Sequence, residues 1–193
     1  DVFEAVVIDN DSVVEVDANG VIQRAWSMAA MLDTQRISYD GLTTRSGDNL
    51  DWSHANSVFY DSSDDTYMVS MRNQDAVVKF SRATGDIVWI LGDHGGWSTD
   101  FQPYLLTPIG ADFSWPYHQH AAEVTADGNI LLHDNHNNAT TPYSGLPKVG
   151  GKDTVTRLVE FKVDETAMTI EQIWEYGTTN VGDLFSSGMG DAD

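Results

Sequence analysis

Short apolar runs separated by Asp, Asn, Gly and Ser set the rhythm of this chain. TYMVSM (66–71), AVVKF (76–80), DIVWILG (86–92), NILLH (129–133), RLVEFKV (157–163) and IEQIWEYG (170–177) each read as a β-strand, either alternating or continuously apolar. The intervening polar clusters supply turn residues. Helical periodicity is confined to WSMAAMLDTQR (26–36), enough for a turn or two. The pattern predicts an all-β protein.

The strands recur in order. VVEVDANGVIQRAW (13–26) is a strand, a turn containing Gly20 and a strand ending in Trp26. AVVKFSRATGDIVWILG (76–92) repeats it around Gly85 and Trp89, and RLVEFKVDETAMTIEQIWEYG (157–177) repeats it again, ending in Trp174 and Gly177. Upstream of the second and third copies lie HANSVFYDSSDDTYMVSMRN (54–73) and HAAEVTADGNILLHDN (120–135), each a histidine, a strand, an acidic turn, a strand and an asparagine. The unit is therefore four antiparallel strands, with His54 and His120, 66 residues apart, as equivalents. Helix-free four-stranded repeats predict β-propeller blades, whereas a β-sandwich would not predict the repetition. The outer half of one blade falls at about 1–40, blades at about 52–99 and 118–177, and the start of a further blade at 185–193. The expected whole is part of a single propeller domain that this stretch does not close.

Composition changes the picture in one respect. Ten Lys and Arg against 30 Asp and Glu give a net charge of −20, a field that disfavours nucleic acid and anionic membranes. The carboxylates are scattered, as in DSSDD (61–65), and read as a solvated surface. With no cysteine, disulfides and thiolate metal sites are excluded. No apolar run reaches membrane-spanning length, and DVFEAVVID opens the chain without a signal-peptide pattern, as a mature or trimmed start would.

In a propeller the innermost strand of each blade lines the central channel, and the second strand returns to the same end. His54, Asn56 and His120 should therefore meet Arg72, Asn73, Asn135 and His136 around one opening. Loops at one end of a rigid β scaffold are where sites are commonly built. Trp26, Trp89 and Trp174 are expected in the core. Trp52 and Trp115 stand shortly before the histidines, where they either wall an aromatic pocket or pack between blades. His118, His120, His133 and His136 also offer nitrogen ligands, so a metal site is an alternative, although no compact metalloenzyme signature is present. GDHGGW (92–97) lacks the lysine and strand-to-helix setting of a phosphate loop and reads as an inter-blade turn.

The run DWSHANSVFYDSSDDTYMVSMRNQDAVVKFSRATGDIVWILGDHGGW, with QHAAEVTADGNILLHDN and VEFKVDETAMTIEQIWEYG after it, resembles the bacterial arylsulfate sulfotransferases. The resemblance covers about residues 10–180. It implies a six-bladed propeller, usually periplasmic or otherwise outside the cytoplasm. The implied reaction moves a sulfuryl group from an aryl sulfate to a phenol without the nucleotide sulfate donor or any other cofactor. A histidine nucleophile carries the group in a ping-pong cycle. His54 matches the histidine of the family's DWxHxNS motif, His120 that of its QH motif, and Arg72 the arginine closing the second strand. His54 and His120 would stabilise the transferring group, with Arg72 and Asn56 in support. The chain departs from the family in two places. DNHNNAT (134–140) lacks the arginine that follows the family's DNG, and the nucleophilic histidine is expected in a later blade, beyond this chain. A non-catalytic propeller that binds a small aromatic or anionic ligand is the rival reading.

Overall fold

The computed structural model describes residues 7–37, 45–46, 49–136, 156–177, 185–186 and 188–191. Its N-terminal part contains β1 (Ile8–Asp9), β2 (Ser12–Val16), β3 (Ile22–Ser27), the single helical turn α1 (Met28–Met31), β4 (Arg45–Ser46) and β5 (Asn49–Asp51). The Ser27 hydroxyl caps α1 by accepting from the Ala30 N–H at 3.3 Å. β2 and β3 form a hairpin, and β1, β5 and β4 form a small three-stranded sheet.

Two larger sheets follow. β6 (Ala55–Asp61), β7 (Thr66–Met71), β8 (Ala76–Ser81) and β9 (Ile87–Gly92) make an antiparallel four-stranded meander. After β10 (Thr107–Ile109), the strands β11 (His120–Val124), β12 (Ile130–Asp134), β13 (Arg157–Asp164) and β14 (Thr169–Tyr176) make a second meander. β10 adds a parallel fifth strand beside β14.

Alternation along the strands explains the layering. Val69 and Met71 of β7, with Ala76, Val78 and Phe80 of β8, face the N-terminal segment and pack on Met28, Leu32 and Trp52. Met68, Val77, Trp89 and Leu91 face the other way, onto Ala122, Leu132, Val159 and Phe161 of the second sheet. The first meander is thus covered on both faces, which is why AVVKF is buried throughout rather than alternating, with Lys79 as its one polar side chain. Glu165 ties the two sheets, accepting from Lys79 Nζ at 2.7 Å and from Trp89 Nε1 at 2.8 Å.

The tryptophans divide. Trp89 is buried in the core and Trp26 is half-buried against it. Trp174 departs from the expected core position: it is 46% exposed on edge-side β14 and stacks on Tyr176 at 6.4 Å.

The register corrects one equivalence. Asn73 N–H donates to the Ser53 carbonyl, and His136 N–H donates to the Tyr117 carbonyl in the same place of the second sheet. Each inner strand carries an irregularity just past this point, around Asn56 in one and around residues 121–122 in the other. The counterpart of His54 is therefore His118, with backbone φ of 46° and 52° respectively, and the counterpart of His120 is Asn56. Sequence spacing alone pairs His54 with His120, because HxN and HxH offer two histidines to choose from.

Candidate functional site

The ends of β6 and β7 in one sheet and of β11 and β12 in the other bring their polar residues to the same side. Asn56 joins them, its Nδ2 donating to the Gln119 carbonyl at 2.7 Å. Gln119 is fully buried and reaches back with its Nε2 to the carbonyls of Ala76 at 2.9 Å and Met71 at 3.3 Å. Its amide closes the seam between the sheets beneath the mouth. In the sequence it stands as the glutamine of the QH motif, between His118 and His120.

On the first sheet, His54 is exposed (43% for its side chain) and its Nδ1 lies 2.5 Å from Asp51 Oδ2. A carboxylate can only accept, so Nδ1 carries the proton and Nε2 points its lone pair outward when the ring is neutral. Arg72 Nη1 donates to Asn73 Oδ1 at 2.7 Å, and Asn73 Nδ2 donates to the Asp51 carbonyl at 2.6 Å. Asp51 thus anchors both His54 and, through Asn73, the guanidinium.

On the second sheet, His120 is buried, with its Nδ1 2.7 Å from Asn135 Oδ1 and 3.1 Å from the His118 carbonyl. Its Nε2 accepts from the Met189 N–H at 3.3 Å. Burial, the largest influence, holds this imidazole below the ordinary histidine value, and the Arg72 and His133 charges push the same way. Asn135 and the His118 carbonyl push back without prevailing. His120 lines a cleft of about 470 Å³ with Asn56 and Phe59 of the first sheet and Met189 and Gly190.

The other histidines are engaged separately. His118 is buried with Nε2 3.7 Å from Asp75. His133 lies 3.4 Å from Asn135, and the Gly190 backbone presses on its ring so closely that a Cβ there would sit 2.2 Å from it. His136 pairs with Asp134 at 3.0 Å. Among the described residues, no group of three or more His, Asp or Glu converges in a way that could hold a metal ion.

The two site tryptophans have different fates. Trp52 is 1% exposed and donates its indole N–H to the Arg36 carbonyl at 2.9 Å, so it is core. Trp115 is half-buried and lines a separate cleft that it shares with His136. Around the mouth the backbone is held in the left-handed region at His54, Asp75, His118, Ala121 and His136. Non-glycine residues seldom sit there, and such positions cluster at functional sites.

An all-β protein with histidine, asparagine and arginine side chains gathered at one end of paired sheets is the class that the fold and these residues define. Comparison with known sequences narrows that class. The arylsulfotransferase (ASST) family model matches residues 4–193, and the chain belongs to that family. It is 28% identical to the arylsulfate sulfotransferase AssT of Escherichia coli O6:H1 over 91% of its own length, and 27% identical to the AssT of Lelliottia amnigena over the same share. The chain spans about a third (36%) of the length of these relatives.

Proposed function

We propose that the protein is an aryl sulfate sulfotransferase and that this chain supplies part of a six-bladed propeller with the sulfuryl-binding side of its site. The observation that carries the reading is His120: a buried imidazole, positioned by Asn135 on a cleft between two sheets that repeat the same register.

Sulfuryl transfer gathers negative charge on three equatorial oxygens, and fixed donors in a sheltered site stabilise it. Arg72 is a permanent donor. Burial disfavours the charged form of His120 in the protein alone, and an arriving sulfate group favours its protonation, converting Nε2 into a donor toward the sulfuryl oxygens. His54, braced by Asp51, offers a second imidazole from the facing sheet. In the first half-reaction a histidine nitrogen attacks sulfur, the S–N bond forms, the S–O bond to the donor breaks, and the phenolate leaves to be protonated. In the second, the acceptor phenol loses its proton, its oxygen attacks sulfur, and the S–N bond breaks. The attacking histidine is not assigned to His54 or His120, whose roles are to hold the group. The reaction needs no cofactor, and the site would act in the periplasm or outside the cell.

The natural full-length protein should move sulfate from a chromogenic aryl sulfate to phenol with parallel double-reciprocal plots. His54→Ala and His120→Ala should each lower kcat by about 10²–10³-fold, the usual loss for one transition-state donor. Absence of turnover by the wild type removes the enzyme reading in favour of a ligand-binding propeller.

A further inference from the structure

The cleft containing Trp115 and His136 shares no lining residue with the cleft that His120 lines. Phe113, Trp115 and Tyr117 wall a space of about 470 Å³, and His136 completes it. The rings are packed against one another: Phe113 meets Trp115 edge-on at 4.6 Å, and Tyr117 meets His136 edge-on at 5.4 Å. Among the described residues no lysine or arginine lines the cleft, and its aromatic walls suit a flat ring.

His136 is set up in a particular protonation geometry. Its Nδ1 is 3.0 Å from Asp134 Oδ2, which as an acceptor requires the proton on Nδ1 and leaves the Nε2 lone pair available. Asp134 is fully buried and fixed by Arg157 Nε at 2.8 Å, the Tyr117 N–H at 2.9 Å and the His136 N–H at 3.0 Å. The carboxylate therefore cannot swing away from the imidazole. The histidine backbone stands at φ 52°, a conformation that a glycine would adopt more readily. Asp134 and Asn135, which hold His136 and His120 respectively, are consecutive residues.

We propose that this cleft binds the ring of an un-ionised phenol, with His136 Nε2 accepting its hydroxyl proton. Binding itself is independent of the sulfuryl-transfer reading; the catalytic use of the site rests on it. In the transfer to acceptor, the phenol O–H bond breaks, its proton passes to Nε2, its electron pair remains on oxygen, and that oxygen forms the bond to sulfur. The imidazolium is stabilised by Asp134 and releases its proton to solvent before the next phenol binds, while the departing donor phenolate takes its proton from solvent, so the site ends each turnover unchanged.

Two measurements on the full-length protein separate binding from catalysis. By calorimetry, phenol should bind wild-type protein at least about tenfold more tightly than anisole, which has the ring without the hydroxyl. His136→Gly, which suits the left-handed backbone, should remove that difference, and Trp115→Ala should weaken both ligands. Equal affinity for phenol and anisole, or an unchanged phenol affinity in His136→Gly, overturns the proposal. In turnover, His136→Gly should slow weakly acidic acceptor phenols at least about tenfold more than strongly acidic ones that are already ionised. A uniform loss across the acceptors overturns the role as base while leaving the binding result to stand. Tight phenol binding by a wild type that transfers no sulfate would instead count against the transferase reading and in favour of the cleft.

Discussion

His120 has a proton balance that can be read out directly. Its folded pKa is depressed below the ordinary value of 6.5, chiefly by burial. A group of this kind contributes stability that is complete above the unfolded value and is lost as pH falls through the folded one. Melting temperature should therefore decline as pH drops below about 6.5, and His120→Gln should flatten that part of the profile. Because an anion favours the protonated ring, inorganic sulfate or a poor aryl sulfate should bind more tightly as pH is lowered over the same range, and His120→Gln should lose this dependence. Gly92 makes a separate case at the same scale. At φ 153°, a Cβ there would stand 2.4 Å from the Asp75 carbonyl oxygen, and Gly177 meets the Thr156 carbonyl at 2.6 Å in the matching place. Gly92→Ala should cost roughly 2–4 kcal/mol, from overpacking and backbone strain together, as measured by urea unfolding.

Strands carry their own signal, and most of this fold was legible from it. The stretches 66–71, 76–80, 86–92, 129–133, 157–163 and 170–177 match β7, β8, β9, β12, β13 and β14 to within a residue at each end, because strand burial patterns and turn residues are local properties. What local pattern could not supply was the seam. Gln119 looks like any polar residue until the Ala76 and Met71 carbonyls are seen to lie against it. Trp52 and Trp115 are alike in sequence, yet one is enclosed by the N-terminal segment and the other opens on a cleft. The pairing of His54 with His118 likewise depends on irregularities in β6 and β11 that no composition reveals. The seam can be tested: Gln119→Ala strips two buried carbonyls of a donor and should destabilise by about 2–6 kcal/mol, at roughly 1–3 kcal/mol per orphaned group. Asn56→Ala should add little to it in the double variant, since both act on the same junction.

Over the whole molecule, a charge of −20 surrounds the mouth proposed above to take an anion. The repulsion acts at long range and is screened by salt, whereas the proposed contacts of Arg72, His54 and His120 with the anion would be short. Raising ionic strength from about 0.01 to 0.15 M should lower the KM for an aryl sulfate several-fold with little change in kcat, while a neutral phenol acceptor should be indifferent. The left-handed residues bear on how such a molecule can change over generations. His54, His118 and His136 each occupy a conformation in which glycine would be more comfortable. Variants chosen only for heat resistance should therefore accumulate glycine or asparagine at these three positions and lose chemistry as they gain robustness. A library screened for both properties should keep the histidines and find its improvements elsewhere, so the two sets of survivors would mark out the site without any substrate being known in advance.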